Sequence, residues 1–185
     1  TNVLNGSKHL KQLSLVRISF DENQEQEHGI SALVAGLQQN TSLEGLELGE
    51  LNLIDTHAAR IVDALELHQS LRGLKIWVFD CGIQTTQALI ILLMKNRKLT
   101  ELKIGGCDPS PPTFDAITIP LKGHPCLERL DLSSNELSDE YLNLGRLVQI
   151  LSTCPKLERL NLSFNQFTCD GLEVLASRPL PAALR

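Results

Sequence analysis

Apolar residues recur at fixed intervals along this chain, in a frame of the form L-x-x-L-x-L-x-x-z-x-φ in which φ is apolar and z varies. The frame can be laid down six times, with successive starts separated by 33, 28, 28, 28 and 30 residues. A repeat of about 20–50 residues is typical of a solenoid, in which each unit buries its apolar face against its neighbours. The six starts are Leu10, Leu43, Leu71, Leu99, Leu127 and Leu157.

The fifth unit shows how one repeat is built. Leu130 and Leu132 alternate with polar residues, which is the period-two pattern of a short strand with one buried face. Asn135 follows the strand, and its side-chain amide can bond turn backbone groups that would otherwise lack partners. Apolar residues at helical spacing then run from Leu144 to Leu151, before Cys154-Pro155 ends the predicted helix. Each unit is therefore predicted to be a strand, a turn and a helix.

All the units together predict one α/β solenoid that spans residues 1–185 as a single domain. Strands joined in the same sense by crossover helices form a parallel sheet with right-handed connections. Because helices are wider than the strand spacing of about 4.8 Å, the sheet must curve, with strands on the concave side and helices on the convex side. Further strands are predicted at Leu46–Leu48, Leu74–Ile76, Leu102–Ile104 and Leu160–Leu162, and further helices at Ile30–Leu37, Ala58–Leu67 and Thr86–Lys95.

Units of about 28 residues with this leucine pattern and a full helix resemble leucine-rich repeats of the ribonuclease-inhibitor-like subclass. The resemblance runs from Leu10 to Arg185 and is strongest in Cys126–Leu137 and Pro155–Phe167. It implies a right-handed α/β horseshoe with a parallel concave sheet and convex helices. It also implies a set of intracellular roles: ligand sensing in the NOD-like receptors of innate immunity, actin-filament capping in tropomodulin-like proteins, activation of the Ran GTPase, and scaffolding.

The chain departs from the family pattern at the turn after the strand. Asparagine fills its expected position only at Asn135 and Asn165, so the other four units must satisfy their turn backbones in another way. A polar insertion, Asp21–His28, lengthens the first unit. The residues at the asparagine position in the first four units are Ile18, Leu51, Phe79 and Cys107.

The fourth unit and the two ends depart from the pattern as well. Prolines exclude a regular long helix from the return segment of the fourth unit. Neither end resembles a polar terminal cap, so we expect the chain to be a segment of a longer repeat array or multidomain protein. The prolines are Pro109, Pro111, Pro112 and Pro120.

Composition narrows the function classes. With 17 basic and 22 acidic residues the net charge is -5, whereas nucleic-acid-binding domains are normally basic. The sequence has no apolar run of bilayer-spanning length and no secretory signal, so we predict neither a nucleic-acid nor a membrane partner. Five cysteines, an odd number without a C-x-x-C pair, indicate neither a disulfide framework nor a zinc site. We therefore expect a cytoplasmic protein, with the nucleus as the alternative.

Signatures of catalysis are missing from the sequence, which has no G-x-S-x-G, P-loop or H-E-x-x-H motif. The histidines lack metal-ligand spacing, and we interpret all five as solvated. We therefore predict no catalytic residue, no metal site, no cofactor and no small-molecule substrate. The histidines are His9, His28, His57, His68 and His124.

The outward-facing strand positions are the candidate binding surface, because curved repeat proteins usually bind partners on the concave side. Opposite charges alternate there, so Glu47–Lys75, Lys103–Asp131 and Glu101–Arg129 pairs would form either a self-satisfied ladder or contacts to a partner. Trp77 stands between two glycine positions and either covers them or binds a partner, since tryptophan and arginine are enriched in binding hot spots. The predicted partner-binding residues are Glu47, Lys75, Trp77, Lys103, Arg129, Asp131, Arg159 and Phe164.

The leading functional hypothesis is a non-enzymatic protein–protein interaction module that binds another protein through its concave face. It would serve as the ligand-sensing or scaffold domain of a larger intracellular protein. The alternatives are a GTPase-activator-like regulator of an enzyme, an actin-capping-type domain and a structural spacer without a partner.

Overall fold

Six short strands form one parallel sheet in the order of the chain. The computed structural model describes residues 9–18, 24–51, 53–77, 82–106, 116–139 and 144–184. Each strand pairs in register with the next, so equivalent positions of the leucine frame form columns across the sheet. The predicted parallel sheet and its register are therefore confirmed. The strands are β1 (Gln12–Val16), β2 (Gly45–Gly49), β3 (Gly73–Trp77), β4 (Glu101–Gly105), β5 (Arg129–Asp131) and β6 (Arg159–Asn161).

Helices return the chain from one strand to the next, as predicted. The first helix begins at Gln24, so the second half of the predicted polar insertion lengthens this helix. In the fourth unit, residues 116–118 are helical and continue into a 3₁₀ turn, Ile119–Leu121, that contains Pro120. The other three prolines of that unit lie outside the described residues. The helices are α1 (Gln24–Gln39), α2 (Asp55–Ala64), α3 (Ile83–Lys95), α4 (Leu144–Leu151) and α5 (Cys169–Ser177).

The leucine frame forms one continuous core between the sheet and the helices. Leu46, Leu74 and Leu102 are equivalent inward-facing strand residues, and each is fully buried. The inner faces of the helices complete this core, for example at Leu92 of α3 and Leu147 of α4. Burial of each such side chain stabilises the fold by about 1.5–3 kcal/mol. The core therefore extends from unit to unit as a solenoid requires.

The strand ends carry a column of residues in the left-handed backbone conformation, which the sequence did not reveal. Their backbone N–H groups continue the ladder: Arg17 donates to the Gly49 carbonyl at 3.0 Å, and Ser134 donates to that of Ser163 at 3.1 Å. Left-handed backbone is uncommon outside glycine, and its recurrence at one repeat position indicates that the turn requires it. The described members of this column are Arg17, Glu50, Gly106, Ser134 and Phe164. The equivalent residue of the third unit, Val78, lies outside the described residues.

In the last two units, the asparagine after the strand forms hydrogen bonds with turn backbone groups, as predicted. The Asn135 side-chain amide donates to the Ile104 carbonyl of the preceding unit at 2.8 Å and to the Leu132 carbonyl of its own unit at 2.9 Å. The Asn165 side-chain oxygen accepts from the backbone N–H groups of Asn135 and Leu137, both at 3.1 Å. These amides link the fourth, fifth and sixth units through turn backbone that would otherwise lack partners.

A second polar column lies at the other edge of the sheet, where each helix leads into the next strand. The His124 Nδ1 atom accepts from the Leu127 N–H at 3.1 Å, and the Asn40 side-chain oxygen accepts from the equivalent Leu43 N–H at 2.8 Å. His124 Nε2 also lies 3.1 Å from the Asn96 carbonyl of the preceding unit. This junction column consists of the buried residues Asn40, His68, Asn96, His124 and Cys154.

The prediction that all five histidines are solvated is therefore wrong for His68 and His124. Both are buried, and His68 Nε2 lies 2.7 Å from the Leu37 carbonyl of the preceding unit. His57 also departs from the prediction, since its ring is mostly covered and lies 3.2 Å from Glu27. The physical reason for His68 and His124 is that a carbonyl of the preceding unit lies within hydrogen-bond distance of each Nε2 atom, so both rings can be buried with that atom bonded.

Candidate protein-binding surface

The face of the sheet opposite the helices carries the outward side chains of all six strands, and we call it the concave surface. Its central column runs across the strands in the predicted order: Ser14, Glu47, Lys75, Lys103, Asp131 and Asn161. Seven of the eight predicted partner-binding residues lie on these strands, and Phe164 follows β6. The structure therefore brings them onto one surface.

Opposite charges on the concave surface contact one another, although one of the three predicted pairs is wrong. Lys103 Nζ lies 3.6 Å from Asp131 Oδ2, and Arg129 Nη2 lies 3.4 Å from Glu101 Oε2. Lys75, however, pairs with Glu101 at 3.1 Å, while Glu47 accepts from the Ser14 hydroxyl at 2.8 Å.

Glycine explains this exchange of partners. Glu101 lies beside Gly73 in the register, and the missing side chain there lets its carboxylate lean towards β3 and Lys75. Glu101 is thus held between two cations, Lys75 and Arg129, although it was not among the predicted site residues. Exposed pairs of this kind stabilise little, about 0–1 kcal/mol each, but they fix the orientation of the side chains.

The Asp131 carboxylate of the concave surface is held by several neighbours at once. Partial burial alone would raise its pKa, but hydrogen bonds from the Ser133 hydroxyl and N–H and the charge of Lys103 outweigh burial and lower the pKa below its ordinary value. The Ser133 N–H and hydroxyl lie 2.9 Å and 2.6 Å from Asp131 Oδ1. Asp131 is therefore ionised at neutral pH and presents a fixed negative charge.

Trp77 is fixed across the sheet. Its indole ring lies over Gly49 of the neighbouring strand, where a Cβ atom would overlap the ring. The Lys103 ammonium lies 5.1 Å from the ring centroid, within the range of a cation–π contact. The interpretation that Trp77 covers a glycine is thus correct for Gly49. The side chain stays half-exposed, and its role in binding a partner stays a prediction.

An open basin lies where the strands begin, at the opposite end of β3 from Trp77. Gln12 covers Gly45 and Trp77 covers Gly49. A Cβ atom on Gly73, by contrast, would have its nearest neighbour, Glu101 Oε2, as far away as 4.0 Å, so the space above Gly73 is open. The basin above Gly73 has a volume of about 200 Å³. We call it the Gly73 basin; its lining includes Glu47, Arg72, Lys75, Glu101 and Arg129.

The C-terminal end of the concave surface is more exposed. Arg159 lies opposite Arg129 in the register, so two like charges are neighbours there. Phe164 is 84% exposed and has a left-handed backbone (φ 56°), a conformation that costs energy for a bulky residue. Exposed aromatic side chains and arginines are residue types that are enriched at protein–protein interfaces.

A larger cavity, of about 570 Å³, lies between the ends of α1 and α2 and includes Asp63, Glu66 and His68. Partial burial and the nearby charge of Glu66 raise the pKa of Asp63. Within the described ranges, however, no three histidine, cysteine or acidic side chains are placed to hold a metal ion. The same part of the chain contains no helix that is both long and apolar enough to cross a membrane.

Comparisons with known proteins identify the repeat. A family model described as a leucine-rich repeat matches residues 123–140 and 153–176. No curated protein sequence matches the chain. Among solved structures, the tropomodulin C-terminal domain of Caenorhabditis elegans is similar with a TM-score of 0.57 at 10% identity, covering 80% of this chain and 89% of that one. A structure titled leiomodin-1 actin-binding site 2 has a TM-score of 0.49 at 12% identity, covering 95% and 82% of the two chains.

Proposed function

We propose that this chain, which is a leucine-rich repeat protein, is a non-enzymatic module that binds another protein through its concave surface. The open Gly73 basin carries the proposal, and the fixed Trp77 at the other end of β3 adds a second contact. A basin of about 200 Å³ has room for one partner side chain, and Trp77, at the far end of the same strand, offers a large apolar contact. The remaining concave residues supply complementarity around these two features.

Preorganisation supports a binding role. Glu101, Asp131 and Trp77 are each held by neighbours on adjacent strands before any partner arrives. Side chains that are already ordered lose less conformational entropy on binding, so more of the contact energy appears as affinity. The mixture of charges around Lys75 and Glu101 would then select partners by electrostatic complementarity.

The cellular context is part of the proposal. We infer a cytoplasmic protein in which residues 1–185 form one ligand-sensing or scaffold domain of a longer chain, with innate immune sensing as one such setting. Repeat domains of this fold supply binding surfaces, while the response to binding resides in other parts of the protein. Sensing, scaffolding and enzyme regulation would all use the same concave surface.

The test fills the basin and removes the tryptophan without disturbing the core. Gly73→Gln has room for its side chain, and Trp77→Ala truncates a half-exposed ring. Proteins captured from a cytoplasmic extract by the unmodified chain are identified, purified and titrated against each variant. We expect Trp77→Ala to weaken binding at least about thirtyfold, the loss typical of a hot-spot tryptophan.

A matched control is Lys156→Glu, which changes an exposed residue outside the concave columns. This variant should bind like the unmodified chain. If both concave variants keep full affinity for every captured protein while remaining folded, the concave surface is not the binding site.

Actin filaments form a separate arm of the test, because actin capping is one of the roles implied by the resemblance to leucine-rich repeat proteins. Co-sedimentation with purified filaments and a pyrene-actin end-capping assay measure it directly. Capping that is lost in Gly73→Gln and kept in Lys156→Glu would make actin the partner. Capping that both variants keep would place an actin contact away from the concave surface.

A further inference from the structure

We propose a second docking surface on the helical side of the solenoid, which binds an acidic amphipathic helix of a protein partner. It is a groove of about 430 Å³ between α3 and the 3₁₀ turn, and we call it the convex groove. This proposal is independent of the concave surface, since the two lie on opposite sides of the sheet. The groove is lined by Ile90, Met94, Arg97, Ala116, Ile119, Pro120 and Lys122.

The floor of the convex groove is apolar and open to solvent. Met94 is 64% exposed and Ile119 is 51% exposed, and they belong to the two opposite walls. Ile90 of α3, which is partly exposed, also lines the groove. Single exposed apolar residues are ordinary on a protein surface, but several around one recess indicate a binding site.

The wall formed by the 3₁₀ turn is held in place. The Arg97 guanidinium follows α3 and donates to the carbonyls of Pro120 at 3.0 Å and Gly123 at 2.7 Å. The Gly123 N–H in turn donates to the Thr153 hydroxyl of the next unit at 2.7 Å. Because these bonds fix both walls, the groove is preformed and a ligand need not order it.

The charged residues around the convex groove indicate which kind of ligand it would bind. The described segments that supply the lining, residues 82–100 and 116–127, contain no aspartate or glutamate, although the whole chain carries a net charge of -5. They contain four cations: Lys95, Arg97, Lys98 and Lys122. Lys95 contacts Glu66 in the turn after α2, whereas Arg97 and Lys122 line the groove itself. An apolar groove with a basic rim is complementary to a segment with apolar anchors and acidic flanks.

The shape of the site favours a helix over a lipid surface. Met94 and Ile119 line a recess between two walls, whereas insertion into a bilayer needs apolar side chains on a protruding surface. An amphipathic helix that lays its apolar face into a groove is a common mode of peptide recognition. The i, i+3, i+4 and i+7 positions of such a helix would face Met94 and Ile119.

The experiment uses a displayed peptide library as its probe. Peptides of about 16 residues carry leucine or phenylalanine at helical spacing, while their flanking positions are randomised among acidic, basic and neutral residues. Selection on the full chain should enrich peptides with several acidic flanking residues. Lys122→Glu, which reverses a rim charge, and Met94→Gln, which removes an anchor contact, should each weaken the selected peptides about tenfold.

Matched controls separate the groove from general surface effects. Leu67→Gln changes another highly exposed apolar residue, and Lys156→Glu reverses another exposed lysine, both outside the groove. These two variants should keep full affinity. Enrichment of basic peptides, no enrichment at all, or equal binding by groove and control variants would each overturn the proposal.

Two other occupants are tested directly. Binding to phosphatidylserine vesicles that is lost in Met94→Gln, without peptide enrichment, would assign the groove to a membrane and overturn the proposal. Self-association in sedimentation velocity that Met94→Gln abolishes would assign it to a second copy of the chain, which also overturns the proposal. A monomer that ignores vesicles and binds acidic peptides in the groove supports the assignment.

Discussion

The second and fifth units solve the same turn in different ways. In the fifth unit, Asn135 fills the position after the strand, and its amide donates to carbonyls of two units. In the second unit, the equivalent residue is Leu51, which is fully buried in the core. There the Leu53 N–H bonds the Leu51 carbonyl at 2.7 Å. The second unit thus has a buried apolar side chain and a local backbone bond where the fifth unit has the asparagine amide.

This difference shows that the residues which form the fold are not all among those which the family model recognises. The family model matches residues 123–140 and 153–176, the two segments that contain Asn135 and Asn165. The sheet, however, continues in register through units that lack the asparagine. The leucine frame is therefore sufficient for the solenoid, and the asparagine is one of several ways to satisfy its turns.

The largest expected effect tests whether the leucine frame contributes equally in both units. Leu48 and Leu132 are equivalent, fully buried residues of the second and fifth units. Leu48→Ala and Leu132→Ala should each lower the free energy of unfolding by about 2–5 kcal/mol, because each leaves a cavity in the shared core. Urea denaturation measures both. A cost for Leu132→Ala alone would mean that the second unit contributes little to the core.

Exchanging the two turn residues gives the next largest effect. Asn135→Leu removes the amide that serves the Ile104 and Leu132 carbonyls, and it should cost about 1–3 kcal/mol. Leu51→Asn buries an amide in a site built for an apolar side chain, so it should also destabilise the fold. Denaturant midpoints of both variants provide the measurement. A Leu51→Asn protein that is more stable than the unmodified chain would contradict this expectation. It would mean that the turn of the second unit can bond an asparagine.

The opposite edge of the sheet yields a pH-dependent prediction. His124 is completely buried, and this burial lowers its pKa below the ordinary value of about 6.5, aided by the charge of Arg97 and opposed by the hydrogen bond to Asn96. The folded protein therefore holds His124 neutral, whereas the unfolded chain takes up a proton below about pH 6.5. Stability should be retained above that pH and fall as the pH is lowered below it.

The control for this prediction is His124→Asn, since asparagine fills the equivalent positions Asn40 and Asn96. Denaturation midpoints at pH 7.5 and 5.5 should differ less for this variant than for the unmodified chain. An identical pH dependence of the two proteins would exclude His124 as a source of the acid sensitivity.

The smallest effect is expected on the concave surface. Lys103→Met removes the contact to Asp131 and the cation above Trp77, and it should change stability by less than about 1 kcal/mol. The emission of Trp77, the one tryptophan in the chain, should nevertheless shift, since a charge close to its ring is lost. A large loss of stability would mean that the charged columns support the fold and are not only a binding surface.

The parallel sheet, its register and the helical returns could be predicted from sequence because apolar periodicity directly reports buried faces. The shift of Lys75 from Glu47 to Glu101 could not be predicted, since it depends on the space that Gly73 leaves and not on register alone. The burial of His68 and His124 was also missed. Polar residues at fixed spacing look solvated in a sequence, and only the neighbouring unit supplies the carbonyls that satisfy them.

Native-state hydrogen exchange tests the central claim most directly, namely that units with and without the asparagine form one cooperative solenoid. If they do, the backbone N–H groups of the interior strands β2 to β5 should exchange with similar protection, close to that of global unfolding. The account predicts comparable protection for Leu46, Leu74, Leu102 and Leu130. Strong protection of β5 alone, with fast exchange of β2 and β3, would contradict it.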